Sequence, residues 1–105
     1  MSYATGSGDD QWVRVASWRG DGNKKTEPFA IQGTEWRIRW FKSSTSHRPG
    51  YITVFVHHSD HRLVGLAVNE RVADSGEAYL DQPGEFYLDI VSRRAAWEIV
   101  VEERF

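Results

Sequence analysis

Cysteine is absent from the 105 residues, which excludes disulfides and thiolate metal sites and leaves the apolar core to hold the fold without covalent help. It does not settle the compartment. Long apolar runs are missing too: none approaches the ~20 residues of a membrane-spanning helix. No charged-then-apolar leader opens the chain, so no membrane insertion is expected. Basic charge is also short. Acids outnumber bases 15 to 13, for a net charge of −2, where a nucleic-acid binder would carry a strong Lys/Arg excess or stripe. Nucleic acid is therefore not expected as a partner.

What is present is alternation. In Glu35-Trp36-Arg37-Ile38-Arg39-Trp40-Phe41, the residues Trp36, Ile38 and Trp40 fall on one face and Arg37 and Arg39 on the other, the period-two signature of a half-buried strand. Turn signals recur at intervals, among them Gly20-Asp21-Gly22-Asn23, the Ser43 to Gly50 loop, Ser59-Asp60-His61 and Gln82-Pro83-Gly84. Between them eight strands are predicted, at 11–19, 26–31, 35–42, 51–58, 62–69, 77–81, 85–91 and 96–103. The gaps are too short for parallel crossovers. The expected fold is therefore all-β: a two-sheet antiparallel β-sandwich, jelly-roll-like or Ig-like, forming a single domain over 11–105. The predicted core is Trp36, Ile38 and Trp40; Ile52, Val54 and Val56; Phe86, Leu88 and Ile90; and Trp97, Ile99 and Val101, with Val13 and Val15 also turned inward. Residues 95–103 and 62–72 carry some helical periodicity, but consecutive β-branched residues in the first favour a strand. In the second, Gly65 weakens both options and suggests a bulge. Residues 1–10 read as a disordered polar tail or linker, natural or left by removal of a longer precursor segment.

The chemistry-bearing residues are sparse. His57, Asp60 and His61 form a donor set that zinc or copper accepts, which gives a small metal-dependent enzyme using the His57 to His61 region as an alternative function, although His57 and His58 should point to opposite faces of their strand. A solvated turn is the simpler reading of the same residues. Ser59, Asp60 and His61 are the residue types of a hydrolytic triad, but contiguous residues cannot place a nucleophile, base and orienting group around one substrate. No catalytic residue and no cofactor is therefore expected. The four histidines all lie in the basic middle third, where residues 35–69 sum to +3 against −5 for 70–105, and their protonation in mild acid would add charge there. Gly20-Asp21-Gly22-Asn23 has the start of a calcium loop without its remaining ligands. Arg19-Gly20-Asp21 matches an adhesion tripeptide by three residues only. The aromatic surplus gives a carbohydrate-binding alternative in which Trp12, Trp18, Tyr51 and Tyr87, with Phe55 and Tyr79 beside them, present rings to pyranose faces.

The pattern of Trp36-Arg-Ile-Arg-Trp40, Gly50-Tyr-Ile-Thr-Val-Phe-Val56, Pro83-Gly-Glu-Phe-Tyr-Leu-Asp-Ile90 and Trp97-Glu-Ile-Val-Val101 resembles the small all-β accessory modules of bacterial and archaeal envelope or secreted proteins. Among these it is loosely similar to the pre-peptidase C-terminal sandwich domains. The resemblance implies a non-catalytic module for binding or spacing, placed in the cell envelope or outside the cell rather than in the cytoplasm. It implies a protein or glycan partner for a domain that is monomeric when isolated. The chain lacks the Asp-x-Asp strand pattern of the pre-peptidase type, so no calcium ligand carries over.

Overall fold

The computed structural model describes residues 12–105; the tail expected at 1–10 lies outside the described residues. Among those residues there are nine strands and no helix. They are β1 (Val13–Gly20), β2 (Lys24–Lys25), β3 (Phe29–Ile31), β4 (Glu35–Ser44), β5 (Tyr51–His58), β6 (Leu63–Glu70), β7 (Ser75–Leu80), β8 (Gly84–Arg93) and β9 (Ala95–Arg104). One sheet has the order β1-β9-β4-β7 and the other β2-β8-β5-β6, with β3 also paired to β8. Every pairing is antiparallel. The pairs nest: β5 with β6, then β4 with β7, then β2 and β3 with β8, and β1 with β9 outermost. No helix among the described residues is long and apolar enough to cross a membrane.

Alternation alone placed the core. Trp36, Ile38, Ile52, Val54, Phe86, Leu88, Ile90, Ile99 and Val101 are fully buried, and Trp40, Val56 and Trp97 nearly so. Trp36 and Phe86 meet across the sheets with ring centroids 4.9 Å apart and planes tilted by 32°. Burying indole rings requires partners for their N–H groups: Trp36 Nε1 donates to the Gln82 carbonyl at 3.0 Å, and Trp97 Nε1 to the Gly22 carbonyl at 2.9 Å.

Two expectations are corrected. The predicted strand 26–31 is shortened to β3 at Phe29–Ile31, and the separate two-residue β2 at Lys24–Lys25 lies ahead of the predicted range. Pro28 has no N–H to offer the ladder, and the register to β8 slips by one residue between Lys25 and Phe29. Thr26 bridges the break, its N–H donating to the Leu88 carbonyl at 2.9 Å and its Oγ1 accepting from the Leu88 N–H at 3.0 Å. Val13 is also not part of the core: it lies opposite the inward Glu103, but as the first residue of the strand that ends its sheet it is 51% exposed. Opposite Val101 and Glu102, β1 spends one extra residue, Val15, in a bulge. That insertion moves the inward parity from odd to even positions, so Ala16, Trp18 and Gly20 pair with the inward Val101, Ile99 and Trp97. Val15 still packs partly against the core.

Candidate functional site

The rings expected to bind sugar are divided: Trp12 meets Tyr79 on the outer face of the four-stranded sheet, Tyr51, Phe55 and Tyr87 lie on the β5–β8 pair of the other sheet, and Trp18 is turned between the sheets. Trp18 packs against Phe29 at 5.8 Å between the sheets, and its Nε1 donates to Glu27 at 2.6 Å, which holds the Glu27 carboxyl below its ordinary range. Trp12 crosses the outer face of the four-stranded sheet. There the Arg37 guanidinium sits 4.2 Å from its centroid and that of Arg104 4.9 Å away, with Tyr79 at 6.0 Å. Cations stacked on the indole occupy the surface that a pyranose would use. Tyr51 and Tyr87 lie on the other sheet at opposite ends of the β5–β8 ladder, opposite Arg93 and His57. Tyr51 is covered by Arg71 at 5.2 Å, and Tyr87 is buried.

The outer face of the four-stranded sheet is an ion-pair network. Arg37 Nε donates to Glu102 at 2.7 Å, and Arg39 lies 3.4 Å from Glu77 and 3.9 Å from Glu102. Arg104 pairs with Glu35. Arg37 is buried beneath Trp12 although its strand position faces outward. Burial pulls its pKa down, but the hydrogen bond to Glu102 and the neighbouring carboxylates outweigh that and leave it raised. These arginines are held by carboxylates and a ring, which makes the face a packing surface.

The histidines form a cluster that differs from the expected ligand set. His57 stacks flat on Tyr87 at 4.9 Å with its plane within 5°. His61 Nδ1 is 3.0 Å from the Tyr87 hydroxyl, and His58 stacks on Phe86. Asp60 is turned away, accepting from Arg62 Nε at 2.8 Å. The Arg62 backbone N–H and side chain together keep its carboxyl below the usual range. Among the described residues no three His, Asp or Glu side chains converge to hold a metal, so His57, Asp60 and His61 are not brought together as ligands. The hairpin is a three-residue type with its last residue left-handed: His61 N–H donates to the His58 carbonyl, His58 N–H to the Arg62 carbonyl, and His61 has φ 78°. The calcium-loop oxygens are likewise engaged within the fold. The Gly22 carbonyl accepts from Trp97 and Asn23 Oδ1 from the Ser92 N–H at 3.0 Å. In the Arg19-Gly20-Asp21 tripeptide, Arg19 pairs with Glu98 at 3.9 Å and Gly20 lies against Trp97.

The feature that alternation did not reveal is the seam where the two sheets end. Among the described residues β6 closes one sheet and β7 the other, and the chain joins them through Arg71–Asp74. Two bulges in β6, at Ala67 and Val64, sit opposite the Val54/Phe55 and Val56/His57 steps of β5 and turn both side chains toward the core. Between them Gly65 pairs with the inward Val56. A Cβ there would meet no atom within 4 Å, and φ lies outside the left-handed region. The space left is an apolar cleft of about 240 Å³, floored by Val56, walled by Val64, Gly65 and Ala67 on one side and by Ala78 and Leu80 on the other. Leu66, 52% exposed, and Tyr79, 54% exposed, stand at its rim. Further along the same seam a polar depression of about 260 Å³ is lined by Trp40, Asn69, Glu70, Ser75, Gly76 and Glu77. Glu70 Oε2 accepts the N–H groups of Val72, Ala73 and Arg71 at 3.0–3.2 Å. Those bonds, with Val72 and Ala73 foremost, hold its carboxyl below the ordinary range. A broader depression of about 650 Å³ over Ala96 and Gly20 is open to solvent and walled by the Arg19–Glu98 pair. The sequence signal for the seam was Leu63-Val64-Gly65-Leu66-Ala67-Val68, six apolar residues without alternation in a strand that is exposed on one side.

No protein-family model matches the chain, and no curated protein sequence does. Among solved structures it is similar to one of the infectious bursal disease virus Gx strain, with 10% identity, a TM-score of 0.43 and coverage of 89% of this chain and 32% of that one. The Gt strain structure gives 9% and 0.39 over the same shares. The crystal structure of FLHE gives 12% and 0.31, covering 90% of this chain and 94% of that one. The chain thus spans about a third of the viral chains it matches. Likeness at this level bears on neither family nor function.

Proposed function

We propose that the chain is a non-catalytic binding module whose seam between β6 and β7 receives an apolar group of a partner. The observation that carries this reading is Gly65. Glycine in the interior of a strand forfeits about 0.5–1 kcal/mol relative to alanine, and here neither sterics nor a positive φ demands it. A glycine kept where a side chain would fit and fill an apolar cleft is a mark of a place where another molecule approaches. The exposed Leu63 and Leu66 beside it add to an apolar surface around the opening.

The nested strand order supports a jelly-roll assignment, a double Greek key found in capsid and lectin domains, though an architecture does not fix a function. The loose similarity of the strand and turn pattern to pre-peptidase C-terminal domains supports an accessory role in the cell envelope or outside the cell.

The test is an amide-resolved NMR titration of the whole chain with isoamyl alcohol, a small apolar probe. Saturable shifts confined to Val56, Val64–Ala67 and Ala78–Leu80, and lost in Gly65→Leu, are expected. Shifts scattered over the surface, or unchanged in Gly65→Leu, refute the reading.

A further inference from the structure

We infer that the seam takes an extended peptide that places a bulky apolar side chain in the cleft and, two residues further on, a lysine or arginine in the polar depression. The inference rests on the binding-module reading and names the partner's chemistry. Size comes first. At about 240 Å³ the cleft is smaller than the ~300–1,000 Å³ of sites for drug-sized ligands, and it suits a single side chain. Shape comes second. Two strands that end their sheets flank the seam; β6 is bulged there, but β7 runs without a register shift, and such an edge presents backbone donors and acceptors in the spacing that an added strand satisfies.

Spacing and charge complete the argument. The cleft is lined by Ala78–Leu80 of β7 and the depression by Ser75–Glu77, which at ~3.3 Å per residue sets their centres roughly 10 Å apart. Side chains on one face of an extended peptide recur every ~6.7 Å, and the long stem of a lysine or arginine spans the rest. The charged residues that line the depression, Glu70 and Glu77, are both acidic. Lys42 reaches in from β4 to lie 3.8 Å from Asp74, and Arg37 and Arg39 both share Glu77, so Glu70, whose oxygen accepts only backbone N–H groups, is the acid left to meet a basic group. A basic group is the complement, and an acidic one is repelled.

Fluorescence anisotropy on the full chain tests this with a labelled octapeptide, Gln-Thr-Ser-Leu-Thr-Lys-Ser-Thr. Its three relatives replace Leu by Ser, replace Lys by Glu, or carry N-methyl groups on the central amides. The parent peptide should bind saturably, more weakly as salt rises, and each relative should bind at least about tenfold more weakly, a difference of about 1.4 kcal/mol. Gly65→Leu should abolish binding of the parent without lowering the melting temperature. Equal binding of all four peptides, indifference to Gly65→Leu, or no binding at millimolar peptide overturns the inference. A concentration-dependent dimer lost in Gly65→Leu would assign the seam to a second copy and overturns it equally. If isoamyl alcohol still perturbs the cleft while no peptide binds, the peptide inference falls and the binding-module reading stands.

Discussion

Glu103 offers the sharpest test of how the four-stranded sheet is tied to the turn before β4. It faces the interior at the end of β9, only 9% exposed. Its Oε1 accepts the N–H of Gln32 at 2.7 Å and of Gly33 at 2.9 Å. Gly33 is pressed against the backbone of Arg104, leaving no room for a side chain, and the Thr34 N–H donates to the Arg104 carbonyl at 3.0 Å. The turn therefore cannot move away to find water without losing all three contacts. Replacing Glu103 by alanine strands two N–H groups, one buried and one half-buried. At about 1–3 kcal/mol for each unsatisfied buried group, with the half-buried one discounted, the loss is about 2–4 kcal/mol. For a chain of this size, 1 kcal/mol moves the melting temperature by about 4–6 °C, so Glu103→Ala should melt about 8–24 °C lower. Glu103→Gln keeps an oxygen able to accept both bonds and loses only the charge-assisted part, about 1 kcal/mol. The assay is thermal and urea unfolding followed by tryptophan fluorescence, with the urea slope unchanged across the series. An alanine variant melting within about 2 °C of the parent, or a glutamine variant as damaged as alanine, would refute the reasoning.

Gly65→Ala should stabilise by about 0.4–1 kcal/mol, because the folded site accepts a methyl group and the unfolded chain loses freedom; a lower melting temperature would mean that the cleft is not open. The Glu70 carboxyl is lowered in the folded state by the N–H groups of Val72 and Ala73. Its contribution is thus present above the ordinary value of 4.5 and is lost as pH falls through the depressed folded value. The melting-temperature difference between the parent and Glu70→Gln should therefore be largest near neutrality and vanish in strong acid, and a difference independent of pH contradicts the assignment. At His61, with φ 78°, alanine keeps the left-handed strain and loses the Tyr87 contact, whereas glycine loses the contact but relieves the strain. Glycine should therefore be the more stable of the two by about 1 kcal/mol in chemical denaturation, and equal stabilities would argue against strain at that residue.

The interior was legible because period-two alternation survives wherever a strand has one buried face, which is why Trp36, Ile38 and Trp40 and their counterparts on β5, β8 and β9 were placed correctly. Alternation is blind to insertions. The bulge at Val15 reversed the parity of β1 and brought Trp18 inward, and nothing local to Trp12-Val13-Arg14-Val15 announces it, since it exists only against β9. Pro28 was a visible sign that 26–31 would break, but the rescue through Thr26 Oγ1 depends on Leu88. Arg37 was rightly placed on the outer face yet is buried, because Trp12 is carried across the sheet to cover it. The seam was hardest to read. The bulges at Val64 and Ala67 appear only in the pairing with β5, and the cleft needs β7 as its second wall. The bulge suspected at Gly65 proved to be one on either side of it.

The concentric pairing of the strands has a consequence for how the molecule comes together. β9 lies between β1 and β4, and its Trp97 reaches Gly22 across 75 positions of sequence, so the four-stranded layer has no centre until the far end of the domain arrives. Assembly that depends on such distant partners is slow, and before it finishes the apolar flanks of β1 and β4 lie bare to other chains. The hairpin of β5 and β6 needs no distant partner and is the natural place for order to begin, which makes the edge that borders the cleft one of the earliest surfaces to take shape.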